Sequence, residues 1–205
     1  MNCDAFKPPT SEGVRKACKE FDADEETKIA EAALIDLFGK YPTNTNEAHV
    51  LLKVVALNVF YSTRIPTRAQ DSPNVFDIAG CIPKLNVDQG FEESSLKIVN
   101  AISITQFPSK RRVARFSFAT KYANWHRQDV YPMWDGRVQN YFTCLRKLHR
   151  SDWDRFSDGF KLSLNDWGYP EFHGLMTRFR DHYGLRSFTF KEIDKFLWLH
   201  GGEKV

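Results

Sequence analysis

Apolar and polar positions along this chain follow the period of helices. Between residues 24 and 39, Ile29, Ala32, Ala33 and Leu37 fall on one helical face, behind an Asp/Glu-rich first turn and ahead of a C-capping Gly39. From 46 to 62 the run Val50–Tyr61 is apolar nearly all round, which places that helix in the centre of a fold. Its β-branched residues also suit a strand, but its length favours a helix. Residues 64–90 carry Pro66, Pro73, Pro83, Gly80 and Gly90 and read as loop, with a short helix near 74–80. Further helices are expected over 91–105, with Leu96, Val99 and Ile102 inward, and over 109–126, with Pro108 at its start. A loop over 127–133 contains Pro132. Helices follow over 134–149, 152–164, 169–183 and 189–199, the last opened by a Thr189/Glu192 capping box and closed by Gly201-Gly202. No stretch shows clear strand alternation. The pattern predicts an all-α fold of about eight helices. It reads as one domain over 1–205, in lobes of approximately 1–105 and 106–205, because no linker between them is flexible enough for independent domains.

Composition narrows the class. A chain of 205 residues with 42% hydrophobic and 14% aromatic content has enough for a substantial core and is not a disordered segment. The net charge of +3 is too small to argue for nucleic acid by itself, but the basic residues cluster at 109–115 and 146–150 while 1–60 is acidic. The four cysteines, Cys3, Cys18, Cys81 and Cys144, form no C-x-x-C pair. They suggest neither a zinc nor an iron–sulfur site nor a disulfide framework, which fits a reducing cytoplasm. No apolar run reaches membrane-span length, and the N-terminus lacks a signal core.

Candidate chemistry lies in Arg115–Val138. Lys121 sits among Phe118, Ala119, Tyr122 and Trp125 on a predicted helix. Desolvation in such a setting favours a lysine's neutral amine and frees its lone pair. Asp135 follows Pro132 at a predicted helix start, where backbone N–H groups and the helix dipole hold a carboxylate ionised. An amine nucleophile and a fixed carboxylate are what cleavage of an N-glycosidic bond needs: one captures the sugar as a Schiff base and the other stabilises its developing positive charge.

Phe118-Ala119-Thr120-Lys121 and Tyr131-Pro132-Met133-Trp134-Asp135-Gly136-Arg137-Val138 resemble the lysine and aspartate motifs of the helix-hairpin-helix DNA glycosylases, especially the 8-oxoguanine branch. The helix ending in Asn58-Val59-Phe60-Tyr61-Ser62-Thr63-Arg64 is similar to that family's central helix, and the order of elements matches over roughly 45–145. The resemblance implies a two-lobed helical bundle with a DNA-binding cleft. It implies catalysis by Lys121 and Asp135, and a base pocket or groove drawing on Asn58, Tyr61, Ser62, Arg64, Trp125 and Trp134. The family's Gly-x-Gly hairpin is replaced by Gln106–Arg112, and the lysine-to-aspartate gap is short. Phosphate contact then falls to the side chains of Lys110, Arg111, Arg112, Arg115 and His126.

Each residue also has a plainer reading. Lys121 is a helix lysine with its stem on aromatic rings. Asp135 is a helix cap. The tryptophans are core, and 110–115 is a solvated basic face. The expectation is a DNA glycosylase excising a damaged or modified base, with Schiff-base lyase activity as an extension. The alternatives are a non-catalytic all-α module binding nucleic acid or protein, and a phage-defence protein acting on modified phage DNA. DNA is the expected partner. The chain is expected to be monomeric, off the membrane, cytoplasmic, and nucleoid-associated when on DNA. The reading calls for no metal and no organic cofactor.

Overall fold

A computed structural model describes residues 3–104, 115–162 and 168–202. Among them the chain is all-α, with eleven α-helices and no strand. In chain order these are α1 (Ser11–Ala23), α2 (Glu25–Lys40), α3 (Glu47–Phe60), α4 (Val75–Cys81), α5 (Val87–Glu92), α6 (Lys97–Ser103), α7 (Phe116–His126), α8 (Gly136–Leu148), α9 (Arg150–Phe156), α10 (Tyr169–His182) and α11 (Phe190–His200). A 3-10 turn over Ile82–Leu85 lies between α4 and α5.

The starts follow from capping chemistry. Thr10 caps α1 by accepting from Gly13 N at 2.9 Å, and Asn46 caps α3 by accepting from Ala48 N and His49 N. Asn74 with Asp77, and Thr189 with Glu192, form reciprocal boxes opening α4 and α11. The helix count exceeds the sequence expectation. The segment 1–23 carries α1, a strongly amphipathic but mostly polar helix whose buried face is Val14 and Ala17, and to which the sequence reading assigned no element. The proline-rich segment 64–90 holds α4, the 3-10 turn and most of α5 rather than one short helix. The helix expected over 91–105 is only α6, because Ser94 takes a left-handed conformation at φ 54° and breaks the path from α5. Likewise α9 ends at Phe156, ahead of left-handed Asp158 and Gly159.

The chain forms two compact units, one made of Met1–Lys28 with Gln128–Val205 and the other of Ile29–Arg127. These are pieces other than 1–105 and 106–205. In the first unit, α11 packs on α1 and α8, and α9 packs on α8 and α10. Its core is a run of edge-on aromatic contacts, such as Phe142 with Phe179 at 5.3 Å and Tyr141 with Phe196 at 5.8 Å. Residues 3–7 are tied to this core. The Tyr141 hydroxyl donates to Lys7 O at 2.9 Å, Phe6 packs on Tyr141, and Cys3 is joined to Cys144 by a disulfide. That bond corrects the expectation of unpaired cysteines. Its partners are 141 residues apart, and only the folding of 1–28 with 128–205 brings them together.

In the second unit, α3 packs on α4 and α7, and α6 packs on α7. The helix enclosed on every side is α7, where Phe118 through Trp125 are all buried. The sequence assigns that place to α3. Instead, α3 buries Val50, Lys53, Val54 and Leu57 and leaves Leu52, Val55, Val59 and Phe60 exposed.

Candidate functional site

The enclosure of α7 from Phe118 to Trp125 makes its polar side chains informative, since each buried polar group needs a partner. Lys121 is 1% exposed. Its Nζ donates to Ser117 Oγ, one turn earlier, at 3.0 Å and lies 5.5 Å from the centroid of the Tyr61 ring. The Tyr61 hydroxyl accepts from Trp125 Nε1 at 2.9 Å. Tyr61, Lys121 and Trp125, three of the expected site residues, therefore share one neighbourhood at the end of α3.

The other groove candidates from this region are placed differently. The Asn58 amide is spent on the turn after α3: its Nδ2 donates to Ile65 O, and its Oδ1 accepts from Thr63 Oγ1 and Ile65 N. Ser62 and Arg64 are exposed in that turn, both left-handed, at φ 49° and 59°. Arg115, at the start of α7, turns inward and donates from Nη2 to Pro73 O at 2.6 Å, and burial pushes its pKa down. Lys110, Arg111 and Arg112 lie outside the described residues.

A second buried lysine went unremarked in the sequence reading. Lys53 on α3 is fully buried, and its Nζ donates to Thr43 O at 3.1 Å and to Asn44 Oδ1 at 3.0 Å. Asn44 is the hub of this network. Its Oδ1 also accepts from the Tyr122 hydroxyl, while its backbone N and Nδ2 donate to the Asp88 carboxylate. Burial lowers the Lys53 pKa to about 8 against the opposing pull of Asp88. Burial, reinforced by the charge of Asp88, holds the Tyr122 phenol well above its ordinary value. A signal for Lys53 was present: it is the one Lys, Arg, Asp or Glu between Ala48 and Phe60.

His126 ends α7 against this network. Its ring stacks on Phe91 at 4.6 Å and meets Phe38 edge-on at 5.0 Å. Its Nε2 is buried without a hydrogen-bond partner among the described residues. Burial, and then the charge of Lys53, lower its pKa to about 3. A neutral ring enclosed by aromatics brings no positive charge to a phosphate, so the contact expected of His126 lacks its physical basis.

Asp135 and Trp134 belong to the other unit. Asp135 is the N-cap of α8, and its Oδ1 accepts from Arg137 N at 2.9 Å and Val138 N at 3.0 Å. These bonds match the expected fixation of the carboxylate by backbone N–H groups. Trp134 is buried and meets Phe172 edge-on at 5.0 Å, a core position. At the start of α8, the Arg137 guanidinium stacks 3.5 Å over the Trp198 ring. Among the described residues no group of three or more His, Cys, Asp or Glu is placed to hold a metal ion, and no helix is long and apolar enough to cross a membrane.

These features define an all-α protein whose 29–127 unit buries two lysines, each held by hydrogen bonds beside aromatic rings. The chain belongs to the HI_0787_N family, described as an N-terminal domain, whose family model matches residues 13–130. That span runs from within α1 through α7 and includes Lys53 and Lys121. Over 198 residues the chain is 25% identical to a Haemophilus influenzae protein named "Uncharacterized protein", an alignment covering 93% of this chain and 89% of that one. No solved structure matches the chain.

Proposed function

We propose that the protein is a DNA N-glycosylase that removes a damaged or modified base, with Lys121 as the nucleophile and Asp135 as the carboxylate that stabilises charge on the sugar. The observation that carries the reading is the buried Lys121 amine, oriented by Ser117 Oγ and bordered by the Tyr61 ring. In the reaction, the Nζ lone pair of the neutral amine forms a bond to C1′ as the C1′–N bond breaks. The electron pair of the broken bond leaves with the base, which takes up a proton shed by the amine. The C1′–O4′ bond then breaks, O4′ takes a proton from water, and the opened sugar remains as an iminium on Lys121. Asp135, held by two backbone N–H groups, is suited to stay ionised while positive charge develops.

The test is borohydride trapping on duplexes carrying 8-oxoguanine, uracil, an abasic site or a bulky modified cytosine. The wild type should give a covalent protein–DNA band and Lys121→Ala none. The substrate that yields the band separates a repair role from action on modified phage DNA. A blank across the panel, with Lys121→Ala folding normally, rejects the reading. The near-complete enclosure of Lys121 favours one other reading, an all-α binding module without chemistry, in which its amine only satisfies Ser117. That reading expects DNA binding or a protein partner with no trapped adduct.

A further inference from the structure

We infer that Tyr61 is the gate of the Lys121 amine: its ring closes an approach to Nζ and must swing aside before an electrophile reaches the lone pair from that side. The part this gate plays in base removal rests on Lys121 being the nucleophile. Lys121 is almost fully buried, yet Ser117 Oγ at 3.0 Å from Nζ and the Tyr61 ring, with its centroid at 5.5 Å, both belong to partly exposed residues. A route from the amine to the surface therefore passes these two side chains. Ser117 is fixed, because it lies one turn before Lys121 on α7 and the two keep their spacing while the helix is intact. Tyr61 is not. It is the C-cap of α3, and the chain beyond it leaves helical geometry, with Ser62 and Arg64 left-handed. Its side chain can turn about χ1 while its backbone N–H stays bonded to Leu57 O and Val59 O.

Two interactions hold the gate shut. Trp125 Nε1 donates to the Tyr61 hydroxyl at 2.9 Å, and the indole is itself buried against the Phe38 ring, so the far end of the tyrosine is tied to a rigid post. The negative face of the Tyr61 ring also attracts a lysine ammonium, which keeps the ring beside Nζ. Attack needs the reacting carbon within about 3–3.5 Å of Nζ, on the side where the lone pair points. One N–H of the amine is directed at Ser117 Oγ, and the ring borders the amine elsewhere. A closed gate keeps small aldehydes and water from the nucleophile, and an open one admits a carbon that is delivered to it.

Reductive methylation of the full native chain tests the gate without DNA. A lysine amine that meets formaldehyde forms an iminium with loss of water, and cyanoborohydride reduces it to a methylamine that peptide mass spectrometry counts site by site. In the wild type, Lys121 should label at least about 100-fold more slowly than the exposed Lys28. Tyr61→Ala should raise the Lys121 rate about tenfold or more. Lys53, buried in the same unit but held by Thr43 O and Asn44 Oδ1, should keep its wild-type rate. Tyr61→Phe, which retains the ring and loses the bond from Trp125, should give a Lys121 rate between the two. Lys53 separates a gate from general loosening, which speeds both buried lysines. An unchanged Lys121 rate in Tyr61→Ala overturns the inference, as does a rise shared by Lys53 in both variants, or a wild-type Lys121 that labels as fast as Lys28. Labelling as expected in a protein that traps no DNA adduct keeps the gate and removes the glycosylase reading instead.

Discussion

His126 shows most directly how burial sets a residue's behaviour. Folded, it remains neutral down to about pH 3, whereas unfolded it takes up a proton near its ordinary value of 6.5. Between those limits the unfolded chain binds more protons, so stability rises with pH and is lost on acidification from 6.5 toward 3. The limiting slope is about 1.4 kcal/mol per pH unit. Chemical denaturation at a series of pH values should show this loss in the wild type and a flatter profile in His126→Phe, which keeps the ring among Phe38 and Phe91. Asn44 is the other sensitive position. Asn44→Ala removes the acceptor shared by Lys53 and Tyr122 and the donors that serve Asp88. It strands a buried ammonium with Thr43 O alone among the contacts described above, and should cost about 3–5 kcal/mol in urea unfolding. Neither effect was legible in the sequence. The sequence offered His126 as a phosphate contact and gave Asn44, between the helices expected over 24–39 and 46–62, no role, because the partners of each come from other elements.

Local chemistry was easiest to read where it is carried by neighbours in the chain. The Thr189/Glu192 box and the Asp135 cap are contacts over two or three residues, and both are present. The centre of the unit was misjudged because hydrophobic periodicity reports which faces are apolar, not which are covered. By that measure α3 outranks α7, yet α7, with Lys121 and Asn124 in its middle, is the enclosed helix. The cap at Asp135 allows stability and proposed catalysis to be separated. Asp135→Ala should cost about 1 kcal/mol through the lost cap, whereas Asp135→Ser keeps an oxygen for the same N–H groups and should fall within a few tenths of a kcal/mol of wild type. On the glycosylase reading both variants lose base release, since serine supplies no negative charge. Retained base release in Asp135→Ser, measured at wild-type stability, assigns Asp135 to the cap alone. The end of α11 makes a second element-scale contact. A Cβ on Gly201 would collide with Arg137 O at the start of α8. Gly201→Ala must push the two helix ends apart and should lower the melting temperature by an amount equivalent to about 1–3 kcal/mol.

The discontinuous unit is the feature of the whole molecule that a linear reading reaches least. Nothing in the spacing of four scattered cysteines picks out Cys3 and Cys144. The pairing depends on residues 1–28 folding with 128–205, where Phe6, Lys7 and Cys3 all meet α8. Closing a loop of 141 residues restricts the unfolded chain far more than the folded one, so the bond should contribute about 2–5 kcal/mol. Thiol titration of protein purified without reductant should then find two reactive cysteines under denaturing conditions, Cys18 and Cys81, and four after reduction. Cys3→Ser should lower the melting temperature of the oxidised protein and leave that of the reduced protein almost unchanged, because reduction has already removed the constraint. Reduction should also raise hydrogen exchange and protease cleavage at residues 3–10. The remaining ties there are single contacts, such as Tyr141 to Lys7 O and His200 to Ala5 O, while the 29–127 unit makes no use of the bond. Four thiols in the unreduced native protein, with residues 3–10 equally protected in both states, mean that packing alone holds the segment and that the two sulfurs are neighbours without being joined.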